Sequence, residues 1–214
     1  MSASAHQDLL WSRPKGTPRA TLLLAHGAGA PMDSDVMNAT SDALTHQGIA
    51  VARFEFPYMA RRREEGGRRP PDRQPMLLAA FQNALQAMPD SARCFIGGKS
   101  MGGRMASLLA AEGANVAGVV CFGYPFHPPG KLDKTRIDHL PELKVPMLVC
   151  QGERDPFGTR EQVAGYVLGP QVSLCWLPDG DHDLKPRKAS GVTQAENLAA
   201  AAAATSAFMV QAMR

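Results

Sequence analysis

The sequence predicts a single α/β domain: a mostly parallel, doubly wound sheet flanked by helices. Three observations carry the prediction. The chain has 214 residues, 44% hydrophobic and 20% charged, which suits one compact core and excludes a wholly disordered or fibrous chain. Six short runs are near-continuously apolar, the pattern of strands covered on both faces. Stretches with helical patterning separate most of them, so strand and helix alternate along the chain. No repeat or linker divides residues 1–214.

The first run, Ala20–His26, leads through a small-residue loop to a helix over Asp35–Gln47. Ile49–Phe56 follows, then a connection rich in Arg and Pro, then a helix over Pro75–Met88. Ala92–Gly97 runs straight into a helix over Met101–Glu112, and Val116–Phe122 comes next. The 22 residues GYPFHPPGKLDKTRIDHLPELK (123–144) hold at most one short helix. Val145–Gln151, a helix over Thr159–Leu168, Val172–Leu177 and a helix from Gly191 to Met213 complete the chain. The Ala-rich stretch Leu198–Ala204 is read as helix because Ala has the highest helix propensity. Long loops at the carboxyl edge of a parallel sheet are where sites are built.

No stretch approaches the roughly 20 apolar residues of a membrane-spanning helix. Met1–Trp11 lacks a positive start followed by an apolar run, so no secretory signal is expected. Cys94, Cys121, Cys150 and Cys175 each lie in an apolar run, without zinc-ligand spacing. Buried free thiols fit a reducing, cytoplasmic setting. The net charge of +3 resides in Arg61–Arg73, where six Arg face Glu64, Glu65 and Asp72. Such a cluster can bind phosphates, but no aromatic residue interleaves it to stack bases, so a solvated loop is expected and nucleic acid is not.

The chemistry centres on Gly98-Lys99-Ser100-Met101-Gly102, a G-x-S-x-G between a strand and a helix. A sharp turn there lifts a serine hydroxyl above the sheet, and Gly97, Gly98, Gly102 and Gly103 remove side chains that would clash. A serine hydroxyl is a poor nucleophile until a base takes its proton and an acid orients that base. On this kind of sheet the chain order is Ser, acid, His. The strand VPMLVCQ ends in GERDPFG, offering Asp155, with Glu153 as the alternative acid. The strand VSLCWL ends in PDGDHD, offering His182. One His between two Asp is too sparse for a metal site, and His26, His46, His127 and His139 precede the acid. Asp155 alone would also suit a turn before Pro156.

An oxyanion needs two preorganised donors. The N–H of Met101, directly after Ser100, is one. The loop His26-Gly27-Ala28-Gly29 supplies the other, and by position Ala28 is expected. The same loop imitates a dinucleotide fingerprint with Glu55 as the ribose acid, but its third glycine position holds Met32 beside Pro31. Gly98-Lys99-Ser100 imitates a phosphate loop, but residue 93, where that pattern needs Gly, is Arg.

The segments HGAGAPMDS (26–34), FEFPYM (54–59), RRPPDR (68–73), GGKSMGGR (97–104), GERDPFG (152–158) and GDHDLKP (180–186) resemble those of small α/β-hydrolases near the dienelactone-hydrolase group, in the branch with testis-expressed and chromatin-complex members. The resemblance spans nearly the whole chain. It implies the α/β-hydrolase fold and a triad of Ser100, Asp155 and His182, with Ala28 and Met101 as oxyanion donors, and supplies no substrate. Dienelactone hydrolases use a cysteine nucleophile, so Ser100 is a departure. Relatives with large substrates often insert a helical lid where this chain has its 123–144 loop, which is too short for one. An open cleft is therefore expected, walled by Tyr58, Phe126, His127 and Phe157.

These readings converge on a serine esterase for small or short-acyl esters that needs no metal or organic cofactor. Its partner is a small-molecule ester, without membrane, and a homodimer is compatible with the sequence. The alternative is a catalytically quiet scaffold that uses the Arg61–Arg73 loop.

Overall fold

The computed structural model describes residues 9–90 and 93–214. Most of the Met1–Trp11 leader and the expected strand start at Ala92 lie outside the described residues. The strands are β1 (Leu10–Ser12), β2 (Ala20–Ala25), β3 (Ile49–Phe54), β4 (Phe95–Lys99), β5 (Gly118–Phe122), β6 (Met147–Gly152) and β7 (Val172–Leu177). The helices are α1 (Asp35–His46), α2 (Pro57–Glu65), α3 (Gln74–Gln86), α4 (Met101–Ala111), α5 (Arg160–Val163) and α6 (Gln194–Ala212).

The strands form one sheet in the order β1-β3-β2-β4-β5-β6-β7. All neighbours are parallel except β1, which runs antiparallel to β3 with Leu10 opposite Arg53. The chain moves outward from β2 to β3, then returns across β2 to start β4. The carboxyl ends of β2 and β4 therefore flank the switch point, where ligands of doubly wound sheets bind.

Strand alternation divides the core between the two faces of the sheet. Leu23, Ile96, Val119 and Val149 pack with Leu77, Phe81 and Leu85 of α3 and Met105 and Leu109 of α4. Leu22, Leu24, Val51, Val120 and Leu148 face the other way, onto Met37 and Leu44 of α1 and Leu198, Ala201 and Met209 of α6. Each large side chain so buried contributes about 1.5–3 kcal/mol. This double-sided core fixes the strand ends that carry the polar loops.

Three expectations about elements are corrected. Residues 57–65 form α2, because Pro57 starts the helix and Met59, Ala60, Arg61–Arg63 and Glu64 are helix formers. Helix α5 covers only Arg160–Val163, within a Thr159/Gln162 capping box, and Gly165 follows soon after. Helix α6 begins after Thr193, whose side chain accepts from the Glu196 N–H, rather than at Gly191. The connection from β5 to β6 carries a single 3-10 turn, Leu140–Glu142, and no lid helix.

Candidate active site

Ser100 joins β4 to α4 in a conformation that side chains rarely adopt, with φ 52° and ψ −114°. Such strain persists only where the surroundings over-determine it. A Cβ on Gly98 would come within 2.5 Å of the Gly102 carbonyl carbon and 2.7 Å of the Ala25 oxygen. One on Gly102 would come within 2.6 Å of both the Ala25 and His26 oxygens. The turn is this tight because strand, helix and neighbouring loop meet backbone to backbone. The Ser100 N–H donates to Phe122 O at 3.0 Å, and Arg104 N–H donates back to Ser100 O at 3.0 Å, which starts α4.

The loops after β6 and β7 bring Asp155 and His182 to this serine. His182 Nε2 lies 2.8 Å from Ser100 Oγ, and His182 Nδ1 lies 2.8 Å from Asp155 Oδ2. These partners assign the proton to Nδ1, leaving Nε2 to accept from the hydroxyl. Asp155 is fully buried. Its carboxylate also accepts from Gln151 Nε2 at 3.0 Å and from the Phe157 N–H at 2.8 Å, so the buried charge is paired throughout. Gln151 is fixed in turn by the Tyr124 N–H, which donates to its Oε1 at 2.7 Å. The Phe157 ring lies over His182 at 4.3 Å between centroids and limits the tilt of the imidazole. Glu153, the alternative acid, is turned away: it pairs with Arg160 at 2.7 Å and accepts from the Asp179 N–H at 3.1 Å.

The loop after β2 lies against the serine, since a Cβ on Gly27 would stand 3.8 Å from Ser100 Cβ. Its carbonyls are held from behind. His26 Nε2 accepts from the Phe56 N–H at 3.0 Å, so Nδ1 donates to Gly27 O at 2.7 Å. Tyr58 Oη donates to Ala28 O at 3.0 Å, and Arg62 donates to Gly29 O at 3.2 Å. In a planar trans peptide the following N–H points opposite the carbonyl. Fixing the Gly27 carbonyl thus also fixes the direction of the Ala28 N–H. Met101, as the first residue of α4, has an N–H without a partner inside the helix. Burial pushes the His26 imidazole below its usual range, which keeps it neutral as this brace requires.

Of the four side chains expected as cleft walls, Phe157 alone reaches this constellation. Tyr58 is 1% exposed and Phe126 and His127 are 0% exposed, so they present no wall. Tyr58 instead braces the Gly27–Gly29 loop, Phe126 packs on Tyr124 at 4.9 Å, and His127 bonds Gln162 and the Pro128 carbonyl. Sequence reasoning located these loops at the correct edge but could not give the direction of each side chain. It missed Gln151 and Lys99, both buried. A polar residue closing an otherwise apolar strand was the available signal.

Three of the six Arg in the Arg-rich segment have carboxylate partners. Arg61 pairs with Asp72 at 2.5 Å, Arg63 with Asp33 and Glu55 at 2.7 and 2.8 Å, and Arg69 with Glu65. These contacts anchor α2 beside the Gly27–Gly29 loop.

Comparison with known proteins agrees with the fold. The family model described as an alpha/beta hydrolase domain matches residues 18–210. An alpha-beta serine hydrolase homologue from Coxiella burnetii superposes with a TM-score of 0.68 at 19% identity, covering 96% of this chain and 91% of its own. A dienelactone hydrolase from Anabaena variabilis gives 0.62 at 20% identity, covering 94% and 88%. A serine hydrolase without lid from Xanthomonas campestris gives 0.61 at 20% identity, covering 84% and 87%. At these identities the likeness is one of fold.

Proposed function

The chain belongs to the alpha/beta hydrolase domain family and has the α/β-hydrolase fold without a lid, and from that premise we propose that it is a serine esterase cleaving carboxylic esters of small or short-chain acids. The observation that carries the proposal is the unbroken series from Ser100 Oγ to His182 to Asp155, with 2.8 Å at both steps. His182 Nε2 takes the hydroxyl proton as Ser100 Oγ attacks the ester carbonyl. Asp155 holds the imidazole in the receptive tautomer and stabilises the imidazolium that forms. The oxyanion of the tetrahedral intermediate is received by the N–H groups of Ala28 and Met101. Collapse expels the alcohol, which takes its proton from His182 and leaves Ser100 acylated. Water, deprotonated by the same imidazole, then releases the acid and restores the hydroxyl.

Preference for short acyl chains follows from the missing lid. A buried methylene is worth about 0.8 kcal/mol, and an open cleft realises only part of that. Phe157, whose ring lies 4.3 Å from that of His182, would be the side chain that touches the substrate. We assign the chain to the branch with testis-expressed and chromatin-complex members on HGAGAPMDS and GGKSMGGR, and a cytoplasmic site of action on its four unpaired thiols. Pairing of Arg61, Arg63 and Arg69 with carboxylates leaves only half of the six Arg of the segment for a partner, which weighs against the scaffold reading. The test is turnover of p-nitrophenyl esters from acetate to palmitate by the wild type and by Ser100→Ala. Activity that peaks at short chains and vanishes in the variant is expected. Full activity in Ser100→Ala would overturn the assignment, and a preference for palmitate would overturn the substrate class.

A further inference from the structure

Lys99 has no part in the chemistry above, yet its side chain is charged and the residue is only 8% exposed. It closes β4 immediately before Ser100. Its methylenes pass Gly27, where a Cβ would stand 3.6 Å from Lys99 Cγ. Its Nζ then donates to the main-chain oxygen of His182 at 2.7 Å and pairs with Asp183 Oδ1 at 3.1 Å. Gly123, at φ +67°, leaves room for this arrangement: a Cβ there would sit 2.8 Å from His182 O, 3.2 Å from His182 Nδ1 and 3.3 Å from Lys99 Nζ.

The histidine loop is tied to the rest of the fold from two sides. On the outer side, Asn197 of α6 donates to Pro178 O and Leu184 O, and Gln194 donates to Asp183 O. Those bonds fix the flanks of the loop. Among the described residues Lys99 alone donates to the His182 carbonyl, and it does so from the strand that carries the nucleophile. Burying an ammonium is costly, and a methionine would fill the same channel without that penalty. What the ammonium adds is a charge-assisted tie between the two loops.

We propose that Lys99 is a positioning residue: its ammonium clamps the His182 main chain and Asp183 to the nucleophile strand, so that the imidazole keeps its 2.8 Å reach to Ser100 Oγ. The proposal rests on the serine-esterase reading. A separate consequence concerns pH. Burial holds the Lys99 ammonium below the ordinary lysine range, opposed by Asp183 first and then by Asp155 and Asp181, with His182 alongside. As pH rises through the Lys99 titration, the ammonium becomes a neutral amine, the charge-assisted tie weakens and turnover falls.

The experiment measures kcat and KM for p-nitrophenyl acetate from about pH 6 to about pH 10, short of the free-lysine pKa near 10.4, in the wild type, Lys99→Met and Asp183→Asn. Lys99→Met is expected to lose roughly 10²-fold in kcat with KM little changed, the effect of about 1 Å of misplacement, and to lack the alkaline decline of the wild type. The Asp183 side chain is 58% exposed, so Asp183→Asn is expected to fold normally. It removes the charge that most supports the ammonium and should move the alkaline decline to lower pH. An unchanged decline in Asp183→Asn overturns the proposal even if Lys99→Met does not fold, and so does wild-type kcat in a folded Lys99→Met. Fluorophosphonate labelling of the wild type at Ser100 separates the two levels: absence of labelling and turnover defeats the esterase reading itself, whereas labelling with unaffected Lys99 and Asp183 variants defeats only the clamp.

Discussion

Replacing Asp155 by Asn removes one charge while keeping the side-chain shape, and the structure specifies what the amide would meet. Asp155 Oδ2 accepts from both His182 Nδ1 and Gln151 Nε2, and Oδ1 accepts from the Phe157 N–H. An amide presents one oxygen and one NH₂. With its oxygen toward His182, the NH₂ opposes the Phe157 N–H. With its NH₂ toward His182, it opposes Gln151 Nε2, and the imidazole must move its proton to Nε2, where it can no longer accept from Ser100. Gln151 cannot turn over without losing the Tyr124 N–H at 2.7 Å. Either orientation therefore leaves one buried donor against another, a penalty of about 1–3 kcal/mol. For a chain of this length that lowers Tm by roughly 2–12 °C, at about 2–4 °C per kcal/mol.

The catalytic loss is larger than the stability loss, because the oriented tautomer and the imidazolium both depend on the missing charge. A fall in kcat on the order of 10⁴ is expected. The assay is p-nitrophenyl acetate turnover near neutral pH, with circular dichroism and thermal melting on the same sample. A variant within tenfold of the wild type would refute the role of Asp155, and a crippled Glu153→Gln beside an active Asp155→Asn would transfer it to Glu153.

The remaining predictions address the turn, the acid limit and the Arg-rich segment. Gly102→Ala places a Cβ 2.6 Å from two backbone oxygens that cannot retreat as a flexible side chain would, and should destabilise by at least about 1–3 kcal/mol; an unchanged melting temperature would show that the turn is looser than described. Burial, aided by Arg104, pushes the His139 imidazole down to about 4, next to Ser107 Oγ at 2.8 Å. The unfolded chain takes up that proton near pH 6.5 and the folded chain resists it, so stability should decline as pH falls from about 6.5 toward 4. His139→Gln should flatten that decline in thermal melts, and an identical acid profile would remove His139 from the account. Because Arg61, Arg63 and Arg69 are paired, KM for an anionic ester should be no more sensitive to added salt than KM for a neutral one; a KM that rises steeply with salt only for the anionic ester would give the segment a substrate role.

What the sequence disclosed depended on how local the determinant is. Strands β2 to β6 were legible because burial on both faces writes itself as an apolar run, and the half-buried edge strand β7 because VSLCWL is still largely apolar. Strand β1 was not: three residues have no periodicity, and Leu10–Ser12 is a strand only because Arg53, Ala52 and Val51 lie opposite. Helix α2 was hidden by its own charges, since a run of Arg reads as a solvated loop until its ion partners Asp33, Glu55 and Asp72 are placed around it. The elbow glycines, and the order of Ser100, Asp155 and His182 on three switch loops, could be read directly, because chain order and strand ends fix which loops meet. The support behind them could not. Gln151 and Lys99 are polar residues closing apolar strands, and nothing local tells whether such a residue ends in solvent or beneath another loop. Tyr58, Phe126 and His127 failed for the same reason in reverse, lying on the right loops but pointing into the protein.

The costly features of this chain gather at one edge of the sheet. Ser100 adopts a left-handed conformation without being glycine, Asp155 carries a charge with no solvent exposure, and Lys99 is buried with its ammonium. Each departs from a rule that most of the chain obeys, and such departures concentrate where function imposes them. They also share a target. Asp155 holds His182 by its ring and Lys99 holds it by its main chain, while Phe157 covers its face and Ser100 receives its second nitrogen. A flexible loop would satisfy a histidine with any one of these contacts. Several together, from β4, the turn after it and the loop after β6, restrict translation, tilt and proton position at once, which is the preorganisation that proton transfer from a serine hydroxyl requires. The two-sided hydrophobic core supplies the stability against which that strain is held.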